Sequence, residues 1–244
     1  MKSSERGVTL IELLIAVTLV ALLSTGMLMA IRLGLSTMEK TNARLYGNRR
    51  VMSVNRIIDS QIAGIVQTKT ECIASGNPGG SISFFQGEQQ TMRFVSTYSL
   101  DDAARGYPKI LEFQVIPGEH EGVRLIVNEL IYAGPPSTGR ICFGMRPNPM
   151  LANQPTPAFL PVETGPRSFV LADRLATCRL WYREALPDPP FERWLPAWGN
   201  PLLPSAIRIE MAPLPSDKMR LPLVTLTAPI RITRDPRMNY DATN

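Results

Sequence analysis

The sequence predicts an α+β protein: one long N-terminal helix, membrane-spanning over about 10–31, packed on an antiparallel β domain of two sheets. Three observations carry this. Leu13 to Ile31 contains no Asp, Glu, Lys or Arg. From Leu33 to Ile65 apolar residues recur at spacings of three and four among polar ones, as an amphipathic helix requires. After Cys72 the pattern changes to short alternating runs bounded by Gly, Pro and Asn, the pattern of antiparallel strands. With 44% hydrophobic and 19% charged residues over 244 positions, a disordered chain, a collagen-like fibre and a disulfide-dense mini-protein are excluded. A net charge of +5, from 26 Lys and Arg against 21 Asp and Glu, includes no dense basic block, so no nucleic-acid partner is expected. A single histidine, His120, and three cysteines leave little material for a metal or a nucleophile. No catalytic residue, metal or cofactor is expected, and the chain is not read as an enzyme.

The apolar run would cover roughly 28 Å as a helix, close to the hydrocarbon thickness of a bilayer. Its flanks separate three readings. A cleaved secretory signal needs small residues at a cut site after a short apolar core, but Leu22-Leu23-Ser24-Thr25-Gly26-Met27 has no such pattern and the apolar run continues past it. A plain anchor does not account for Glu12, a carboxylate directly before the charge-free span, because a carboxylate in a membrane is costly without a partner. The third reading is a short leader followed by a retained helix.

Lys2-Ser3-Ser4-Glu5-Arg6-Gly7 followed by Val8-Thr9-Leu10-Ile11-Glu12-Leu13-Leu14-Ile15-Ala16 resembles the type IV prepilin signature. The resemblance implies a leader of residues 1–7, cut after Gly7 by a prepilin peptidase that methylates the new amino group of Val8. It also implies that Glu12, fifth in the mature chain, acts in filament assembly by meeting the N-terminal ammonium of a neighbouring subunit. Val8 departs from the Phe usual in that family.

The helix is expected over 8–67, with Gly26, Gly34 and Gly47 as local weak points, and the β domain over 68–244. Strands are expected at Ser81 to Phe85, Thr91 to Tyr98, Ile110 to Ile116, Val123 to Ala133, Ser168 to Ala172, Ala176 to Glu184, Ala206 to Met211 and Leu223 to Ile232. Pro117 to Gly122 reads as a hairpin tip, which makes His120 an exposed turn residue. Nineteen of 22 prolines lie at Pro135 or later, so the connections there should be extended and rigid rather than helical. Cys178 alternates with Leu180 and Tyr182 as a small buried residue, whereas Cys72 and Cys142 adjoin loops. In a compartment that permits disulfides, Cys72 and Cys142 form the expected pair; three reduced cysteines are the alternative. Asp101, Asp102 and the acids from Pro187 to Glu192 lack the spacing of a calcium loop.

Two further stretches are similar to the J-type minor pseudopilin of type II secretion: Asn48 to Ile62, and the run of Phe169 to Leu175, Cys178 to Glu184, Trp194 to Trp198 and Leu203 to Ile209. Trp181, Trp194 and Trp198 are then either core or loop-anchoring aromatics or partner contacts. The resemblance implies a single-pass inner-membrane protein with its C-terminal domain in the periplasm. It would join I- and K-type minor subunits and the filament body at the tip of a periplasmic pseudopilus. A minor pilin of a type IV pilus or DNA-uptake filament is the alternative within the class, and a membrane-tethered periplasmic enzyme the alternative outside it.

Overall fold

A computed structural model describes residues 9–72, 81–101, 104–215 and 223–231 of the chain. The chain divides into two units, Met1–Arg49 and Arg50–Asn244, with the boundary inside the first helix, α1 (Leu10–Ala63). The 54 residues of α1 contain no proline, and Glu12 lies in the first turn, where a negative charge favours the helix dipole. In the first unit Leu10–Asn42 is long and apolar enough to cross a membrane, and none of its most hydrophobic stretch is buried.

The helix stops at Ala63, short of the expected end near Gln67. Ile65 and Val66 continue the apolar spacing, but they are β-branched, and the sheet takes them as β1 (Ile65–Val66), opposite Ser96 and Val95. There follow β2 (Lys69–Glu71), β3 (Ser81–Ser83), β4 (Gln86–Gly87), β5 (Thr91–Ser99), β6 (Ala104–Pro117) and β7 (Val123–Ile131). Then come α2 (Pro135–Gly139), β8 (Cys142–Asn148), β9 (Gln154–Phe159), β10 (Phe169–Ala185), β11 (Glu192–Leu195), β12 (Ala206–Pro213) and β13 (Val224–Pro229). Where two sheets were expected, the described strands form one nine-stranded antiparallel sheet in the order β1-β5-β6-β7-β10-β12-β13. Within it β4 also pairs with β5 and β11 with β10, and β2–β3 and β8–β9 form separate two-stranded ribbons.

Each face of the large sheet is covered by something different. Val54, Ile58 and Ile62, four residues apart on α1, are buried with Phe94, Phe113, Leu125, Leu180 and Ile209 in one core. On the opposite face of β5 and β6, Val95 and Ile110 are buried with Phe84, Cys142 and Phe159 in a second core. Phe84 and Phe159 meet edge to face with ring centroids 5.4 Å apart.

Several connections differ from expectation. The strands expected at Ser168 to Ala172 and Ala176 to Glu184 merge into one, β10, which begins at Phe169 and continues through Arg174, at a positive φ of 58°, as the register shifts. There β10 exchanges β7 for β12, and Leu214 N–H donates to Arg174 O. Asp173-Arg174 is thus a bulge and not a break. Two proline segments open short helical turns, α2 and Pro149–Leu151, since proline is suited to the first helical position. Three more, Pro147, Pro155 and Pro157, lie in β8 and β9, strands that the sequence reading missed. The Pro117 to Gly122 hairpin forms as expected: Gly118 N–H donates to Gly122 O, Gly122 has φ 75°, and His120 is exposed.

A buried charge pair ties four strands together. Arg93 on β5 and Glu112 on β6 are cross-strand partners, 2.6 Å apart and 1% and 6% exposed in their side chains. Arg93 also donates to Gln86 Oε1 at 3.0 Å and lies 5.6 Å from the Phe159 ring centre. Gln86 in turn donates to Glu88, and Glu88 accepts from Arg146 on β8. Burial pulls the Arg93 guanidinium below its usual value, and Glu112 opposes that shift. Removing one partner would leave a buried charge uncompensated, at a cost of about 3–5 kcal/mol, whereas replacing both with apolar residues costs less. Denaturant unfolding of the detergent-solubilised chain should therefore show a larger loss for Glu112→Ala than for the double change Arg93→Met with Glu112→Leu. Equal losses would contradict this role.

Candidate functional site

The first candidate site is the start of α1. Between Leu10 and Ile31 the side-chain hydroxyls are satisfied within the helix: Thr18 donates to Ile15 O, Ser24 to Val20 O and Thr25 to Ala21 O, at 2.6–2.9 Å. Such back-bonding lets a polar side chain lie in an apolar span at little cost. Glu12 has no equivalent. Its backbone N–H donates to Thr9 O at 3.1 Å, but its carboxylate has no partner among the described residues and is exposed. Around it Leu10, Leu13, Leu14 and Ile15 are all more than half exposed. Gly7 and Val8, the expected cut and methylation positions, lie outside the described residues.

The comparisons with known proteins bear on this same segment. Residues 2–28 match the family model described as the prokaryotic N-terminal methylation motif. The prepilin-type signal is present. None of the curated proteins matches the chain. The motif covers Gly7, Val8 and Glu12 and extends into the apolar helix.

The second candidate site is the disulfide. Cys72 and Cys142, 70 positions apart, are bonded with their Cα atoms 4.8 Å apart. The bond fastens the end of β2 to the start of β8, at the edge of the second core that contains Cys142 itself. Closing a loop of that length stabilises by about 4 kcal/mol in the chain-entropy model. Cys178 is free and buried in the main core, where burial pushes its thiol up to about 12. It packs as a small apolar residue, as its alternation in the sequence implied.

The tryptophans separate by role. Trp198 is buried; its backbone N–H donates to Gly87 O at 2.8 Å and its indole N–H to Leu202 O at 2.7 Å. A Cβ on Gly87 would come within 2.7 Å of the Trp198 Cβ, so the close approach needs glycine there. Trp181 donates to Glu210 at 3.0 Å, and the Arg208 guanidinium lies 3.8 Å from the Trp194 ring centre. Both of these are half-buried on the sheet. The acids near Pro187 do not converge: Glu192 pairs with Arg183 at 3.1 Å. Asp101 is an exposed turn residue, and Asp102 lies outside the described residues.

A surface cleft of about 560 Å³, between the β8–β9 turn and β11, was not visible in the sequence. Leu151, Leu195 and Trp198 line it with Gln154, Asn200 and the Arg193–Glu184 ion pair. These residues come from four separated segments, so no local motif marks them.

The thiols give a direct check. Native chain treated with an alkylating reagent at pH 8 should take up none, and chain denatured without reductant should take up one, at Cys178. Two or more labels before reduction, read by intact mass, would show that Cys72 and Cys142 are not joined.

Proposed function

We propose that this chain is a minor pseudopilin resembling the J type, anchored in the inner membrane with its β domain in the periplasm. It acts by assembly and not by catalysis: it joins I- and K-type subunits at the tip of a short filament whose growth moves folded proteins across the outer membrane. The observation that carries the assembly reading is Glu12. A methylation motif delivers a carboxylate to the start of an apolar span, and that carboxylate has no partner among the described residues of its own chain. In hydrocarbon it needs a counter-charge, and a neighbouring subunit's N-terminal ammonium supplies one. The disulfide supports a domain outside the cytoplasm, where such bonds persist. The similarity of Phe169 to Ile209 to the J type supports the finer assignment.

Two variants test this reading. Substituting Gly7 should leave an uncut precursor in the membrane; a normal mature N-terminus by mass spectrometry would rule out the leader. Glu12→Ala should lower incorporation into the filament while the amount of chain and its thiol pattern stay as in wild type. Unchanged assembly would remove the charge-pairing role.

A further inference from the structure

The β domain treats its strand edges unequally. An open edge presents unpaired N–H and C=O groups to any other strand, and proteins usually blunt it with proline, charge or shortness. In the β8–β9 ribbon, Met145 pairs with Pro157 and Pro147 with Pro155. Proline has no N–H, so these are the non-hydrogen-bonded pairs, whose backbones face outward, and the ribbon's outer edges lack donors at all three prolines. β1 and β4 are two residues each, and β11 is four residues carrying Glu192 and Arg193.

β13 has none of these protections over most of its length. It is six residues, Val224-Thr225-Leu226-Thr227-Ala228-Pro229, with no charge, and among the described residues it pairs only with β12. The register shows which of its backbone groups point away from β12. Ile230 N–H donates to Ser205 O at 3.0 Å, and Pro229, opposite Ala206, has no N–H to give. Hydrogen-bonded and non-hydrogen-bonded pairs alternate along an antiparallel ladder. Ala228, Leu226 and Val224 therefore bond to β12, while Thr227 and Thr225 direct both N–H and C=O out of the sheet. Their side chains are exposed, whereas Val224 and Leu226 pack half-buried against the main core.

We propose that β13 is a docking edge that takes an extended strand from a second pilin-like subunit. The strand it fits is uncharged, with apolar residues beside Val224 and Leu226 and hydroxyl residues beside Thr225 and Thr227, the pairings that favour adjacent strands. Such a strand would pair the four outward backbone groups of the two threonines and cover the apolar area left open on Val224 and Leu226. The proposal rests on the assembly reading and adds a contact site to it.

The register also supplies the test. Thr225→Pro with Thr227→Pro removes two outward N–H groups and no bond to β12, whereas Leu226→Pro removes a ladder bond and should lower the amount of folded chain. The full-length tagged chain is isolated from its own cells and the co-isolated pilin-like subunits are quantified. The double variant should retain the normal amount of chain and lose at least tenfold of a pilin-like partner. In parallel, a photo-crosslinking residue at Thr227 should join the chain to a strand peptide of another pilin-like subunit, which decides the matter even if the double variant folds poorly. Equal partner recovery at a normal amount of chain, or crosslinks confined to the same chain, would overturn the docking edge while leaving assembly intact. Recovery of no pilin-like subunit by the wild-type chain would overturn the assembly reading and the docking edge together.

Discussion

From Leu10 to Ile31 the helix satisfies its own backbone, and its three hydroxyls fold back on carbonyls of the preceding turn. The Glu12 carboxylate is the exception, and much follows from it. Insertion scales put a carboxylate at the centre of a membrane helix at about 2.5–3.5 kcal/mol, an upper bound for Glu12 at the start of the span until a cation or a proton meets it. Nothing among the described residues does so. On the proposed reading a neighbouring subunit completes this segment, which the methylation motif spans. On that reading the anchor tethers the chain and also favours its association with other helices.

The β domain follows from a different constraint. A sheet with apolar residues on both faces needs two covers, and the chain supplies them from distant places. The end of α1 covers one face through Val54, Ile58 and Ile62. The β8–β9 ribbon covers part of the other, and the Cys72–Cys142 bond holds it there over Phe84 and Ile110. The Arg93–Glu112 pair lies on that second face and reaches Arg146 of the ribbon through Gln86 and Glu88. The ribbon is therefore fastened covalently at its start and by polar contacts farther along.

The parts legible in the sequence were those with a local period or a local motif. The charge-free run marked the span, alternation marked β5, β7 and β12, and Pro117 to Gly122 marked its hairpin. The loop positions of Cys72 and Cys142, against the alternating position of Cys178, identified the bonded pair. What stayed hidden depends on which segments meet. Ile65 and Val66 fit the helical spacing, and only their pairing with Val95 and Ser96 makes them a strand. Arg93 within Met92-Arg93-Phe94 would read as a solvent-facing residue of an alternating strand; it is buried because the ribbon carrying Phe159 covers it. Proline-rich β8 and β9 read as connections, because the rule against proline in strands holds for central strands and not for ribbon edges.

The central claim is that this subunit serves secretion through a filament. Deleting its gene and measuring the extracellular proteome, surface pili and twitching in one strain tests that claim most directly. The account predicts loss of secreted folded proteins with pili and twitching intact. Loss of pili with secretion intact would contradict it and move the chain to a type IV pilus.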